Sequence, residues 1–200
     1  MKYYERRRYN ELYAETGNLN ILNGYRRQDY RQIPDYHAVV SLLKTLPLPE
    51  IKTIIDIGCG NGLLLKYIRE SLKKDLIPYG CDYNPLAIEV LKTQVFPELA
   101  ENFTQRDVDT MTETIDQDVA LLMHGDYTWN RLQITSPYLV LRIREHLADH
   151  PMDANRKQAI LADNQRLAES KRLGLLATRN ASYRHSFRLY QNRNNGEPFY

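Results

Sequence analysis

The chain has 200 residues, of which 42% are hydrophobic, with 27 Lys and Arg against 25 Asp and Glu. That length suffices for one three-layer core, and the hydrophobic share is ordinary for a soluble globular chain; a formal charge of +2 exerts no strong global pull on nucleic acid or an anionic membrane. No stretch reaches the roughly 18 apolar residues of a membrane span, and two cysteines without a histidine pair make neither a disulfide framework nor a zinc site, so Cys59 and Cys81 read as reduced structural thiols.

The N-terminal segment mixes tyrosine with arginine. Tyr3, Tyr4, Tyr9, Tyr13, Tyr25, Tyr30 and Tyr36 stand among Arg6, Arg7, Arg8, Arg26, Arg27 and Arg31. Such a mixture can stack on bases and neutralise phosphates. It can equally form a cap, because a helix over Tyr3 to Glu15 puts Tyr9 and Tyr13 on one face, where rings pack and hydroxyls stay wet; the cap is the favoured of the two. Arg6-Arg7-Arg8 is followed by no apolar core, which is not a secretory pattern and points to a cytoplasmic protein. A second helix, from Asp35 through Ala38, Val39, Leu42 and Leu43, leads to the turn Leu46-Pro47-Leu48-Pro49.

The most informative run is Thr53-Ile54-Ile55-Asp56-Ile57-Gly58-Cys59-Gly60-Asn61-Gly62. Its β-branched residues suit a parallel strand buried on both faces, and the glycines let backbone approach a ligand closely. Leu64, Ile68 and Leu72 recur four apart, so a helix follows with its N-terminus toward whatever the glycines hold. A dinucleotide fingerprint would need a third glycine where Leu63 stands, which weakens a nicotinamide assignment. A tight turn without a ligand is the plain alternative.

A second strand, Leu76 to Cys81, delivers Asp82 about twenty residues beyond the last glycine, the offset of a carboxylate that grips ribose hydroxyls. Helix capping, its competing role, falls instead to Asn84, with Pro85 at the first helical position, and the helix runs on through Ala87, Ile88 and Leu91 toward Pro97. Phe103 to Arg106 alternates like a third strand and ends on Asp107 and Val108; Val119 to Met123 is a fourth, ending at His124-Gly125-Asp126. Polar residues thus gather beyond the carboxyl ends of the strands, where open α/β sheets bind ligands.

An acidic residue two before G-x-G-x-G at the end of an apolar strand resembles the first motif of class I S-adenosylmethionine-dependent methyltransferases. With Asp82 and Asp107 the resemblance extends over about residues 35 to 125. It implies a three-layer, Rossmann-like α/β sandwich, mostly parallel with an antiparallel C-terminal strand or hairpin, occupying residues 35–200 behind an N-terminal helical cap or lid of residues 1–34. It implies S-adenosyl-L-methionine as cofactor, held by Asp56, Gly58, Cys59, Gly60, Asn61, Asp82 and Tyr83, with Asp107 and the Val108 amide at the adenine. Asn23-Gly24-Tyr25 resembles a loop that in some members closes on the methionine end, although no tryptophan follows Tyr25. The sulfonium already activates the methyl group, so alignment with an acceptor does most of the work. For an oxygen acceptor, His124 is the candidate catalytic base by location; contact with the cofactor and a plain loop hydrogen bond are its other roles. The expected acceptor is a small molecule, with RNA or protein as further options. The tetrad of the DNA amino-methyltransferases is absent, since His124-Gly125-Asp126-Tyr127 stands after strand four.

Beyond residue 130 the pattern departs from the family's. Tyr138 to Ile143 fits strand or helix, and the face of Leu139, Ile143, His146 and Leu147 favours helix. A polar helix over 153–172, a fifth strand at Leu173 to Thr178, an antiparallel strand over Tyr183 to Tyr190 and a turn at Asn194-Asn195-Gly196 follow. Lys171, Arg172, Arg179, Arg184, Arg188 and Arg193 meet no carboxylate between 171 and 196, either as a solvated sheet face or as a surface for an anionic partner. A non-catalytic module that keeps the fold and binds protein or RNA is the alternative to an enzyme. The remaining histidines show no metal-ligand spacing, and no metal is expected.

Overall fold

The apolar run Thr53–Ile57 forms β1 at the centre of the sheet, between β2 (Ile77–Asp82) and a later strand, both parallel to it. The computed structural model of the protein describes residues 2–25, 29–123, 132–144, 158, 162, 173–182 and 185–193. In chain order the remaining strands are β3 (Phe103–Gln105), β4 (Thr114–Ile115), β5 (Val119–Leu122), β6 (Gln133–Ile134), β7 (Tyr138–Arg144), β8 (Leu173–Ser182) and β9 (His185–Asn192). Seven of the nine build one sheet in the order β3-β2-β1-β5-β7-β9-β8, and β4 pairs with β6 in a small separate ladder. Only β9 runs antiparallel to its neighbours, joining β7 to β8.

Register is fixed at the base of the sheet by Asp118, whose Oδ2 accepts from Lys52 N–H at 2.7 Å, Thr53 N–H at 2.9 Å and Thr53 Oγ1 at 3.1 Å. Alternation along the strands then sorts side chains to two faces. Ile54, Leu121, Val140, Phe187 and Leu189 lie on one, packed against helices α2 (Pro34–Leu43) and α3 (Leu63–Leu72). Ile57, Leu122, Leu141, Ile143 and Tyr190 lie on the other, with Ile115 and Ile134 of the small ladder. Each fully buried side chain of this kind stabilises the fold by about 1.5–3 kcal/mol.

Residues Tyr138–Arg144 are strand, not helix. Val140 is buried in the cluster on one face and Leu139 and Leu141 in the cluster on the other, and β7 is interior to the sheet, paired with β5 and β9. An interior strand needs apolar residues at every position, which erases the alternation that marks a half-exposed one. Leu173–Ser182 therefore becomes the sixth strand of the sheet rather than the fifth. The expected helix over 153–172 and turn at 194–196 lie outside the described residues.

The N-terminal helix α1 (Lys2–Thr16) gives way at Gly17 to a tight turn over Leu19–Asn23, capped at its start by the Asn18 side chain and closed by Gly24 at φ +80°. Tyr13 packs with Leu22, Ala87 and Val90, while Tyr25, Tyr36, Tyr67 and Tyr30 form a chain of rings at centroid distances of 5.6, 6.0 and 6.3 Å, edge to face at its two ends and tilted in the middle. These rings are spent on internal packing. Asn84 caps α4 (Pro85–Val90), which continues as a wider π-helical turn over Leu91–Val95 before Pro97.

Candidate functional site at the carboxyl edge of the sheet

Asp56 is the last but one residue of β1 and 2% exposed, a carboxylate placed inside the sheet by a strand that is otherwise apolar. Its Oδ1 has no hydrogen-bond partner. Burial raises its pKa from 3.8 to about 8, with the Asp82 carboxylate adding to the rise and the Arg142 guanidinium opposing it. A buried acceptor without a donor costs about 1–3 kcal/mol, and it leaves Asp56 Oδ1 able to accept from a ligand.

Beyond Ile57 the backbone turns through Gly58 at φ +82°, Gly60 at φ +55° and Gly62 at φ +77°. The N–H groups of Gly58 and Cys59 both donate to Cys81 O, at 2.8 and 3.0 Å, which locks the turn against the end of β2. Asp82 closes the clamp: its Oδ2 accepts from Gly60 N–H at 2.9 Å and its Oδ1 from Asn84 N–H at 2.8 Å. Burial pushes the Asp82 pKa up, and these backbone donors hold it back. The Tyr83 N–H is a third backbone donor to this carboxylate, and the lone pairs these donors leave open can meet a ligand hydroxyl. Asp107 lies near enough to raise the Asp82 pKa further, and its carbonyl accepts from Thr110 N–H at 3.0 Å. Val108 is buried in the lower cluster with Cys81, and Tyr83 is half-buried beside Asp82.

The N-terminal segment descends onto this turn. Asn23 Oδ1 accepts from Asn61 N–H at 2.9 Å and its Nδ2 donates to Tyr36 Oη at 3.0 Å, while Asn61 Nδ2 donates to Leu19 O at 2.7 Å. A Cβ on Gly60 would lie only 2.0 Å from Asn23 Oδ1. The missing side chain at Gly60 is thus what lets Asn23 sit there. Asn10 and Asn84 exchange amide hydrogen bonds at 2.9 and 3.4 Å, tying α1 to the loop after β2. Tyr25 donates to Asp35 Oδ2 at 2.9 Å, and burial beside that carboxylate holds its hydroxyl protonated.

The structure therefore brings Asp56, Gly58, Cys59, Gly60, Asn61, Asp82, Tyr83, Asp107 and Val108 together at one sheet edge, with Tyr25 on the segment above. His124 lies outside the described residues. Two participants were not anticipated, Asp35 and Arg142, and Asn23, expected only as part of the loop over Tyr25, is the residue of that loop that bonds the glycine turn. Arg142 is 9% exposed, and its Nη1 is 3.7 Å from Asp35 Oδ2. The register pairs Leu141 with Leu122, Leu122 with Ile57 and Ile57 with Cys81, so one residue further along the edge reads Arg142, Met123, Gly58, Asp82. Arg142 is a single charge in an apolar run, a signal visible in the sequence and lost when that run is taken for a helix.

A sheet in the order β3-β2-β1-β5-β7-β9-β8, parallel except for β9, with an acidic residue before a glycine turn and another at the end of the next strand, is the fold of class I S-adenosylmethionine-dependent methyltransferases. Magnesium protoporphyrin IX methyltransferase of Synechocystis PCC 6803, crystallised with S-adenosylmethionine, superposes with a TM-score of 0.58 at 15% identity over 94% of this chain and 97% of its own. The mitomycin 7-O-methyltransferase MmcR superposes at 0.52 with 14% identity over 79% of this chain and 54% of its own. In sequence, a protein of Invertebrate iridescent virus 6 named as a methyltransferase, 235L, is 32% identical over 98 residues, 49% of this chain. The match spans a third of that relative, 33% of its length. No family model matches the chain.

Proposed function

We propose that the protein binds S-adenosyl-L-methionine and transfers its methyl group to a small-molecule acceptor. The observation that carries this is the buried Asp56 carboxylate with an unpartnered Oδ1, set beside a glycine turn clamped by Asp82. These residues fit the cofactor. Asp56 offers an acceptor to its ammonium group, Asp82 keeps lone pairs for ribose hydroxyls, and Asp107 with the Val108 amide fits the adenine. Cys59, Asn61 and Tyr83 flank the same path, and Tyr25 with Asn23 closes it from the segment of residues 1–34, which acts as a cap on a core of residues 35–200. When bound, the cofactor supplies a methyl group already activated on a sulfonium. The chain's task is then to hold an acceptor in line and exclude water, worth about 7–11 kcal/mol of barrier without a catalytic acid or base. His124, following the tip of β5, is the candidate base for an oxygen acceptor. The solved proteins of like fold whose names include a porphyrin and mitomycin support a small acceptor. Among the described residues no helix is long and apolar enough to cross a membrane.

Calorimetric titration with S-adenosylmethionine, S-adenosylhomocysteine and NAD tests this directly. Binding of the first two and not the third is expected. A second reading rests on Asn23, whose carboxamide fills the space above Gly60: a module that keeps the fold without turnover and holds a protein or RNA partner. Failure of both sulfur nucleosides to bind would favour that module.

A further inference from the structure

Arg142 is a buried cation that the cofactor scheme leaves without a task. Its place in the edge row, Arg142, Met123, Gly58, Asp82, puts it two strands from the glycine turn, about 10 Å at ordinary strand spacing. It projects from the same face as Asp56 and Asp82, since residues in one row and residues two apart share a face. The ribose carboxylate and the glycine turn belong to β2 and β1, on one side of Met123; Arg142 stands on the other side, over β7. That is where an acceptor must lie if the methyl donor occupies the first two strands.

The guanidinium is incompletely used. Asp35 Oδ2 is 3.7 Å from Nη1, longer than a hydrogen bond, and Nε–H has no partner although it is buried. Asp35 is itself engaged by the Tyr25 hydroxyl at 2.9 Å. The other titratable groups around this point are the carboxyls of Asp56 and, further along the row, Asp82, and the neutral hydroxyls of Tyr25 and Tyr36. A planar fork with an unmet donor, steadied rather than saturated by its counter-ion, is suited to receive a carboxylate edge on.

Resting on the methyltransferase assignment, we propose that Arg142 is the specificity-determining residue for the methyl acceptor and that the acceptor carries a carboxylate. Asp35 holds the guanidinium in place and, through Tyr25, couples it to the N-terminal segment. A neutral amide analogue offers the fork one acceptor oxygen and no charge, loses the second, charge-assisted hydrogen bond, and binds more weakly on that account.

The test uses the full chain loaded with S-adenosylhomocysteine and titrated with acetate, malonate and benzoate against their amides. At least one carboxylate is expected to bind about tenfold more tightly than its amide, the effect of one charge-assisted pair. Arg142→Gln is expected to abolish that preference while S-adenosylhomocysteine binds within about twofold of its native affinity. Because Arg142→Gln removes a buried charge, Asp35→Asn serves as a second variant: it frees the guanidinium of its competing carboxylate and is expected to tighten carboxylate binding. No preference for any carboxylate over its amide overturns the proposal. So does a loss of S-adenosylhomocysteine affinity in Arg142→Gln with 5′-methylthioadenosine unaffected, since the guanidinium would then serve the cofactor's own carboxylate. A native protein that does not bind S-adenosylhomocysteine at all overturns the cofactor assignment instead.

Discussion

Asp82 does two things at once, and substitutions can separate them. Its oxygens clamp Gly60 and Asn84 through backbone hydrogen bonds, and the same oxygens are the ones proposed to meet ribose. Asp82→Ala removes both, with an expected loss of about ten- to a hundredfold in S-adenosylhomocysteine affinity, equivalent to roughly 1.5–3 kcal/mol for a charged hydrogen bond. Asp82→Asn keeps one acceptor oxygen for a backbone donor and should retain more thermal stability than Asp82→Ala while still losing affinity. An Asp82→Ala protein that is folded and binds with the native dissociation constant would take Asp82 out of the site. Cys59 and Cys81 belong to the same scale. Both are reduced, and burial lifts both thiols, that of Cys81 to about 12, so neither is a nucleophile near neutral pH.

At the scale of elements, the strands that could be recognised in the sequence are those whose run ends in a break or alternates cleanly. β1 stops at Gly58, β2 at Asp82 before the Asn84-Pro85 cap, and β5 is bounded by Asp118, while β3 and β9 are marked by alternation and β8 by its short apolar run. The tie between β1 and β5 through Asp118 is tertiary and has no local signature. β7 carries no such break, and its seven residues satisfy both periods; only its pairing with β5 and β9 decides the matter. The site divides in the same way. Asp56, the glycines and Asp82 are written as a contiguous motif with a fixed offset, whereas Asp35 and Arg142 come from separate elements and meet through topology, and the loop of Asn23 reaches the glycine turn the same way. The link from β1 to α3 yields a prediction of its own. Gly62 stands at φ +77°, and a Cβ there would lie 2.9 Å from Leu91 Cδ1 and 3.4 Å from Phe96. Gly62→Ala therefore combines left-handed strain with a clash against a buried leucine, and should destabilise the fold by about 1–3 kcal/mol, read as a lowered denaturation midpoint. A midpoint equal to the native one would mean that α4 and its π-helical turn yield freely.

For the whole molecule, a near-neutral net charge conceals an acidic centre. Among the described residues the buried charged side chains are three carboxylates, Asp35, Asp56 and Asp82, and one guanidinium, Arg142. The basic stretch at the C-terminus does not balance them: Arg179 Nε donates to Ser41 Oγ at 3.1 Å, and the Arg193 guanidinium lies across Gly174, far along the sheet. The consequence is a pH dependence of stability opposite to that of a protein with salt-bridged carboxylates. Asp56 is raised from 3.8 in the open chain to about 8 in the fold, and Asp82 is raised as well. Between these values the folded protein binds more protons than the unfolded chain, so unfolding free energy falls as pH rises. The contribution is complete below pH 4 and is lost as pH climbs through about 8, at about 1.4 kcal/mol for each unit of displacement. Thermal melts of the unliganded protein should accordingly give a higher midpoint at pH 5.5 than at pH 8.5, and Asp56→Asn should flatten that slope and exceed the native protein at the upper end. A cationic ligand acts against the same proton. S-adenosylmethionine brings a sulfonium and an ammonium, which favour the ionised carboxylate, so its binding at pH 7 should release protons and tighten as pH rises toward 8. Titrations in phosphate and in Tris, whose ionisation enthalpies differ, would show the release as a buffer-dependent heat that disappears in Asp56→Asn; equal heats in the two buffers would mean that Asp56 keeps its proton in the complex and that the ammonium is held elsewhere.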